Sequence, residues 1–381
     1  MLRFLKSLVL RAIRSAGYEV TRSPDRQTAV QSPEANPSRV EVLPANDVPS
    51  ASVALDQIAN PLPAIMQSPE YPATVAFFAG NPASLRSLVS GDTQALLFTL
   101  IRNLQAKCVV EIGSFQCGTA EAMCRALHSN GDGVLFTVDP FGAERAPGII
   151  RWWPDELQAH VRFFPLSSAD FFMEMEREGL HPDLVFVDGN HDYEFALFDI
   201  QCAARRLTRG GFIVIDNISQ SGPFLAAVDF LRANPDWIDC GRSPGDYSVA
   251  KAFDKARISF HNTDMMVLRA PATWAVNGRP MTFGEQPWRS NVVHGLHLAL
   301  ASELRTGVLS VQCVVRGFGA TEHVEIAAEA DCEVDGQSPI VSASFEPPIM
   351  LQGEFIRVGV EPWLLWRGDA PLRLIEPPSL H

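Results

Sequence analysis

No apolar run in this chain approaches the roughly 20 residues that span a bilayer, which argues against an integral membrane protein. Cysteine is too irregular to build with: there are seven, an odd number, and no CxxC pair. That excludes a disulfide framework or a cysteine zinc site and fits reduced, mostly structural thiols of a cytosolic protein. No internal repeat is visible. At 46% hydrophobic and 20% charged residues, the composition excludes wholesale disorder and a fibrous chain. Acid is what the chain has in excess, with a net charge of −13 over 381 residues. The first 22 residues hold Arg3, Lys6, Arg11, Arg14 and Arg22 against Glu19, so the remainder is more acidic still. Such a body repels nucleic-acid phosphates, and no nucleic-acid partner is expected. The length suggests two domains, or three small modules.

Residues 2–16, LRFLKSLVLRAIRSA, place Leu2, Leu5, Leu8, Val9, Ala12, Ile13 and Ala16 at helical spacing with cations between them. The pattern predicts a basic amphipathic helix over 1–22. Lys6 and Arg11 break the apolar core that a secretory signal needs. Three roles stay open: packing on the protein or a partner subunit, lying on an anionic membrane surface, or an organelle transit peptide. Residues 23–72 carry nine prolines among Ser, Ala, Gln and Asn, a composition that predicts a linker without a core, disordered at least to residue 50. Order is expected to return near Asp92, where DTQALLFTLIRNL has the pattern of a capped helix.

From Lys107 to about Ala270, short apolar runs alternate with amphipathic stretches. CVVEI (108–112), VLFTVD (134–139), VRFFPL (161–166), LVFVD (184–188) and GFIVID (211–216) are predicted strands, with helices from Gly118 to His128, to Arg206, and from Pro223 to Arg232. This cadence predicts an α/β fold: a Rossmann-like, doubly wound parallel sheet over 73–272, with ligands at the carboxyl ends of its strands. Beyond residue 272 the helical period fades, apart from a short helix expected near HGLHLALASEL. VLSVQCVV (308–315), HVEIAAEA (323–330), PIVSASF (339–345) and FIRVGV (355–360) predict a small antiparallel β-domain over 273–381, a sandwich or jelly roll.

The segment VVEIGSFQCGTAEAM is the most informative. Its strand ends in Glu111, Gly113 lets the chain turn tightly, and a helix opening near Gly118 offers free N–H groups. The next strand ends in Asp139, 28 residues after Glu111, and a carboxylate there suits the two hydroxyls of a ribose. The glycine spacing departs from G-x-G-x-x-G, which disfavours a nicotinamide enzyme, and Glu111 would repel a pyrophosphate but favour a cation. A nucleoside bearing positive charge is implied, and S-adenosylmethionine fits.

With EIGSFQCGTA, TVDPFG, LVFVDGNHDYE and GGFIVIDNI in order, residues 91–270 resemble class I S-adenosylmethionine-dependent methyltransferases. They are most like the branch with sugar O-methyltransferases and cephalosporin-hydroxylase-like proteins. The resemblance implies that Glu111, Gly113, Ser114 and Gly118 line the methionine and ribose end. It implies that Asp139 holds the ribose, that Ser167 and Ser168 sit near adenine, and that Asp188 faces the reaction centre. Two positions depart from the family pattern. Cys117 stands where a second glycine is usual, and Asp216-Asn217 where metal-binding members often carry paired Asp.

Methyl transfer needs an aligned nucleophile and a base. His191 in DGNHDYE is the favoured base, imidazole being the side chain that changes protonation near neutral pH. The open addition is Mg²⁺ held by Asp188, Asp216 and Asn217, lowering the pKa of a substrate hydroxyl. Against these stand plainer roles: a helix cap for His191 and a loop hydrogen bond for Asp216. Asp199 is expected as a solvated or helix-pairing acid. Trp152, Trp153 and Pro154 form a lid over the cofactor mouth or pack on the domain surface or a subunit contact. Trp274, Trp288, Trp363 and Trp366 pack in the tail domain or offer a carbohydrate platform, and His294 and His297 are structural.

The expected function is therefore O-methylation of a sugar or glycan-precursor hydroxyl, in a cytoplasmic protein that could sit peripherally on the inner face of a membrane through residues 1–22 and could form a homo-oligomer. The alternative is a non-catalytic methyltransferase-fold scaffold or glycan-binding protein.

Overall fold

A computed structural model describes residue 45 and residues 48–50, 52–55, 58–81, 87–243, 265–301, 305–368 and 370–381. The expected helix over 1–22 and the linker as far as residue 44 lie outside the described residues.

The α/β half begins with helices α1 (Leu62–Met66), α2 (Tyr71–Gly80) and α3 (Gly91–Leu104). Strand β1 (Cys108–Ile112), α4 (Gly118–Asn130) and β2 (Val134–Val138) follow. Next come α5 (Arg145–Ile150), α6 (Asp155–Gln158), β3 (Val161–Phe164) and α7 (Ser168–Glu178). The run closes with β4 (Leu184–Val187), α8 (Tyr193–Arg206), β5 (Phe212–Ile215), α9 (Ser221–Ala233), β6 (Ile238–Ser243) and β7 (Met265–Arg269). These seven strands form one sheet in the order β3-β2-β1-β4-β5-β7-β6. The five expected strands are parallel, and β7 and β6 extend the edge antiparallel. Strands β4 and β5 are buried along their whole length, which is why they read as unbroken apolar runs. The order reverses between β1 and β4, and there the crevice of a doubly wound sheet opens.

Order returns earlier than Asp92, and the end of the expected linker is no tether. Pro63 and Pro72 sit at the second positions of α1 and α2, where a missing N–H costs nothing. Leu55, Leu62, Ile65, Tyr71 and Phe78 are buried in the same core as β1 and α4. Arg269 of β7 donates from Nη2 to Leu55 O at 3.0 Å. Asn81 donates to Glu121, itself in a fully buried ion pair with Arg125 at 2.6 Å. The apolar positions here are too widely spaced to signal a core alone; burial against α3 and α4 makes them one. The capped helix near Asp92 is α3, and its cap is Ser90, whose hydroxyl accepts from Thr93 N–H.

The tail is β throughout its described residues. Strands β8 (Trp274–Val276), β9 (Met281–Thr282), β10 (Gln286–Trp288) and β11 (Val292–Ala299) lead into three long strands, β12 (Thr306–Phe318), β13 (His323–Asp335) and β14 (Ile340–Met350). Then follow β15 (Arg357–Gly368), β16 (Leu372–Leu374) and β17 (Ser379–Leu380). A sheet of order β10-β15-β12-β13, with β9 on β15, accompanies β14-β11-β17 around one core. The helix expected near HGLHLALASEL is instead β11. Its pairing with β14 overrides a spacing that is ambiguous over so short a run. Trp366 is core, with its indole N–H on Ala370 O, and Trp288 bonds Val292 O. His297 stacks on His381 and bonds Ser342, a structural arrangement.

Candidate active site

A cavity of about 170 Å³ opens at the carboxyl ends of β1, β4 and β5. Its wall includes Gly113, Ser114 and Gly118 from the first turn, Asp188 and His191 after β4, and Asp216 and Asn217 after β5. Seven of the eight residues expected around the donor's reacting end and the base are thus near neighbours, drawn from turns far apart in sequence.

The first turn is sterically fixed. Gly113 has φ +97°, and a Cβ there would lie 2.0 Å from Asp188 O, so backbone of the β4 turn crosses it. Cys117 is the α4 N-cap at φ 57°, in the left-handed region that glycine ordinarily fills. The departure from glycine therefore leaves the turn in place at a cost of about 1 kcal/mol. Gly118 meets Ser87 instead: a Cβ would sit 2.5 Å from Ser87 N.

Glu111 lies beneath this turn rather than on the cavity wall. It is fully buried, accepts a hydrogen bond from Thr137 Oγ1, and leaves Oε1 without a partner. Burial pushes its carboxyl up to about 8, with Asp188 and Asp139 adding repulsion. An orphaned buried carboxyl oxygen under a glycine turn is what a cationic ligand would complete.

Asp139 stands at the tip of β2, 7% exposed. Its Oδ1 accepts from Phe141 N–H at 2.8 Å, and its Oδ2 from Phe115 N–H at 3.1 Å and Arg145 Nη2 at 3.0 Å. Arg145 also donates to Phe115 O at 2.8 Å and lies over the Phe115 ring. A ribose reaching Asp139 must exchange with this guanidinium, since a carboxylate offers only about four acceptor sites. Nothing in the sequence near Arg145 flags that latch.

Four polar groups meet at the tips of β4 and β5. His191 Nε2 is 3.5 Å from Asp188 Oδ1. With its amide turned to satisfy its neighbours, Asn217 Nδ2 lies 2.8 Å from His191 Nε2, 3.2 Å from Asp188 Oδ1 and 3.3 Å from Asp216 Oδ2. Asn217 holds φ 54°, a left-handed position that aims its amide back at the strand tips. Two N–H groups cannot serve three acceptors, so this cluster retains an acceptor for a substrate proton. Burial raises the Asp188 carboxyl, while His191 and a hydrogen bond with Asp216 draw it down. As for Mg²⁺, among the described residues no group of three or more His, Cys, Asp or Glu is arranged to hold a metal ion. Asp188, Asp216 and Asn217 engage one another and His191.

Other expected site residues have structural duties. Ser167 caps α7, accepting from Asp170 N–H, and Ser168 bonds Asp199. Neither lines the cavity. Trp153 is 5% exposed and belongs to the core; Trp152 is half exposed under Arg151, and neither lines the cavity.

Asp199 corrects the sequence reading outright. It is 2% exposed rather than solvated, its Oδ2 packs against Gly189 of the β4 turn, and burial pushes it up to about 6. The folded state therefore favours its protonated form: this group's contribution to stability is full below about pH 4 and is lost as pH rises through about 6. Asp199→Asn is expected to stabilise the protein by up to about 3 kcal/mol at pH 8 and by little at pH 4. Urea unfolding at the two pH values checks this; equal effects at both would contradict the burial argument.

A family model described as a methyltransferase domain matches residues 110–218. No curated protein matches the chain. Among solved structures, the O-methyltransferase TomG from Streptomyces achromogenes, in complex with SAM, is 17% identical with a TM-score of 0.39, covering 58% of this chain and 91% of that one. An O-methyltransferase from Bacillus cereus, in complex with SAH, is 16% identical with a TM-score of 0.38, over 56% of this chain and 97% of that one. The N-methyltransferase NodS from Bradyrhizobium japonicum WM9 is 14% identical with a TM-score of 0.33, over 47% and 95%. Residues 110–218, the stretch that this family model covers, match a methyltransferase domain.

Proposed function

We propose that the chain methylates a hydroxyl of a sugar or glycan precursor, in the manner of the sugar O-methyltransferase branch. The observation that carries this is the strand-tip cavity, where a histidine base and a hydrogen-bonding wall stand together beside a glycine turn. S-adenosylmethionine supplies a methyl group already activated by its sulfonium charge. Glu111 fits the donor's cationic end, since it has a buried oxygen to satisfy, and Asp139 fits the ribose once Arg145 yields. His191 takes the proton of the acceptor hydroxyl, and Asp188 stabilises the imidazolium so formed. An acceptor that must lose a proton calls for such a base. The wall, with Gln116, Gln220 and Asn217, suits a polyhydroxylated acceptor better than an apolar one. On the β-domain, Trp363 lines a recess of about 300 Å³ with Gln312, Glu329 and Arg367, chemistry that suits a glycan chain. The non-catalytic alternative rested on Cys117 and Asn217; the first keeps the turn, and the second joins the polar cluster.

Calorimetry with S-adenosylhomocysteine and S-adenosylmethionine in two buffers of different ionisation enthalpy tests the donor site. A cation beside Glu111 lowers a carboxyl that stands near 8 in the free protein, so binding of the ammonium-bearing ligand releases a proton. Affinity is expected to rise up to about tenfold per pH unit below pH 8 and level off above, and Glu111→Gln to abolish that rise. No heat with either ligand would count against the donor site, and a pH-independent affinity would remove Glu111 from it.

No described helix is long and apolar enough to cross a membrane. Peripheral contact through residues 1–22 is part of the proposal: the full chain should sediment with anionic vesicles, and a variant lacking those residues should not.

A further inference from the structure

A second cavity, of about 410 Å³, lies where the methyltransferase domain meets the β-domain. His181 precedes β4 and Arg209 precedes β5, so it opens at the amino ends of the parallel strands, the end opposite the strand-tip cavity, and the two share no lining residue. Its volume falls in the range of small-molecule sites.

Its charge runs against the rest of the protein. In a chain of net −13, this cavity is lined by Arg205, Arg206 and Arg209 with Glu176 as its one acid. Arg206 is 6% exposed, and its Nε has no hydrogen-bond partner; its Nη2 reaches only Met175 O, at 3.5 Å. The Arg209 Nε is likewise buried without a partner, while its guanidinium stacks 3.9 Å from the centre of the Trp274 ring. Arg205 and Arg206 stand in the last turn of α8, whose C-terminal dipole favours a cation. That dipole does not account for buried guanidinium N–H groups with no acceptor, which are costly unless something completes them.

The missing acceptor has a place. Gly284, in the β9–β10 turn, has φ +70° and no side chain. A Cβ there would lie 3.4 Å from Glu176 Oε1, 3.8 Å from Arg206 Nη1 and 3.9 Å from Arg205 Nη2. Glu176 Oε1 is nearby but accepts Glu285 N–H at 3.3 Å, a bond that docks the turn on α7. Two guanidiniums thus converge beside a turn without a side chain, and Phe230, Trp237, Trp274 and Phe283 line part of the wall.

We propose that this interdomain cavity binds a phosphate-bearing small molecule, its dianion held by Arg205 and Arg206 beside Gly284 and its organic body against Trp274, Trp237 and Phe283. Three cations against one acid leave two positive charges, which match a phosphate monoester rather than a carboxylate. Planar guanidinium forks suit its oxygens. The proposal does not rest on methyl transfer.

The test is a tryptophan-fluorescence titration of the full chain with phenyl phosphate, at ionic strength held constant with chloride. Trp237 and Trp274 line the cavity and report on it. A saturable change is expected. Arg205→Gln, an exposed position, should weaken binding about tenfold or more. Arg209→Gln should also weaken it, and Glu176→Gln, which keeps the acceptor for Glu285 N–H, should strengthen it. Phenylacetate, with one charge, should bind more weakly. Binding of S-adenosylhomocysteine should be the same in all three variants. Absence of a saturable response, equal affinity in Arg205→Gln and the parent, or equal affinity for phenylacetate would each overturn the assignment.

Discussion

Replacing His191 with alanine is expected to lower kcat by about 10² to 10⁴, the range that a positioned base contributes, while leaving affinity for S-adenosylhomocysteine nearly unchanged. The expectation comes from placement. His191 lines the strand-tip cavity, 3.5 Å from Asp188 and within reach of the Asn217 amide. Asp188→Asn should cost less than His191→Ala, because it removes support for the imidazolium but leaves the base. Turnover is read as S-adenosylhomocysteine formed with an acceptor taken from a screen of hydroxyl-bearing sugars. An unchanged kcat, or a loss matched by lost donor affinity, would reduce His191 to a structural partner of Asp188 and Asn217.

The second large effect is on donor binding. Asp139→Ala is expected to weaken S-adenosylmethionine by about 100-fold, from the loss of two charge-assisted hydrogen bonds to a diol, each worth about 1.5–3 kcal/mol, less what exchange with Arg145 already costs. Arg145→Ala should do the reverse and tighten binding, because Arg145 Nη2 holds Asp139 Oδ2 at 3.0 Å in the free protein. Calorimetry with both variants separates the two roles of the carboxylate. Asp139 also accepts the Phe115 and Phe141 N–H groups, so some loss of stability accompanies its removal. That loss cannot imitate the opposite sign of Arg145→Ala. Weaker binding in both variants would mean that the guanidinium is part of the donor site and not its competitor.

Much of the domain was legible in the chain because its strands are buried on both faces. β1, β4 and β5 carry near-continuous apolar runs, and each ends in a polar residue at the tip: Glu111 before the Gly113 turn, Asp188 and Asp216 after their strands. A parallel sheet forces those tips to one end, and there the cavity opens. What failed to show was whatever depends on a neighbour remote in sequence. Asp199 reads as a surface acid of an amphipathic helix, yet the β4 turn and Ser168 cover it. Trp153 reads equally as a lid or as surface or subunit packing and is core. The residues around Leu62 and Tyr71 read as tether and are packed against α3 and α4. The run around Leu296 reads as helix and is a strand, because β14 supplies its hydrogen bonds.

The sequence by itself determined the sheet, its strand tips and the acids on them, since hydrophobic period and turn chemistry are local. Tertiary structure alone decided that Arg145 covers Asp139, that Asn217 ties His191 to two carboxylates, and that three arginines meet a glycine turn of another domain. Those are juxtapositions made across turns or between elements remote in sequence, and their energies come from burial and from partners that no local pattern encodes.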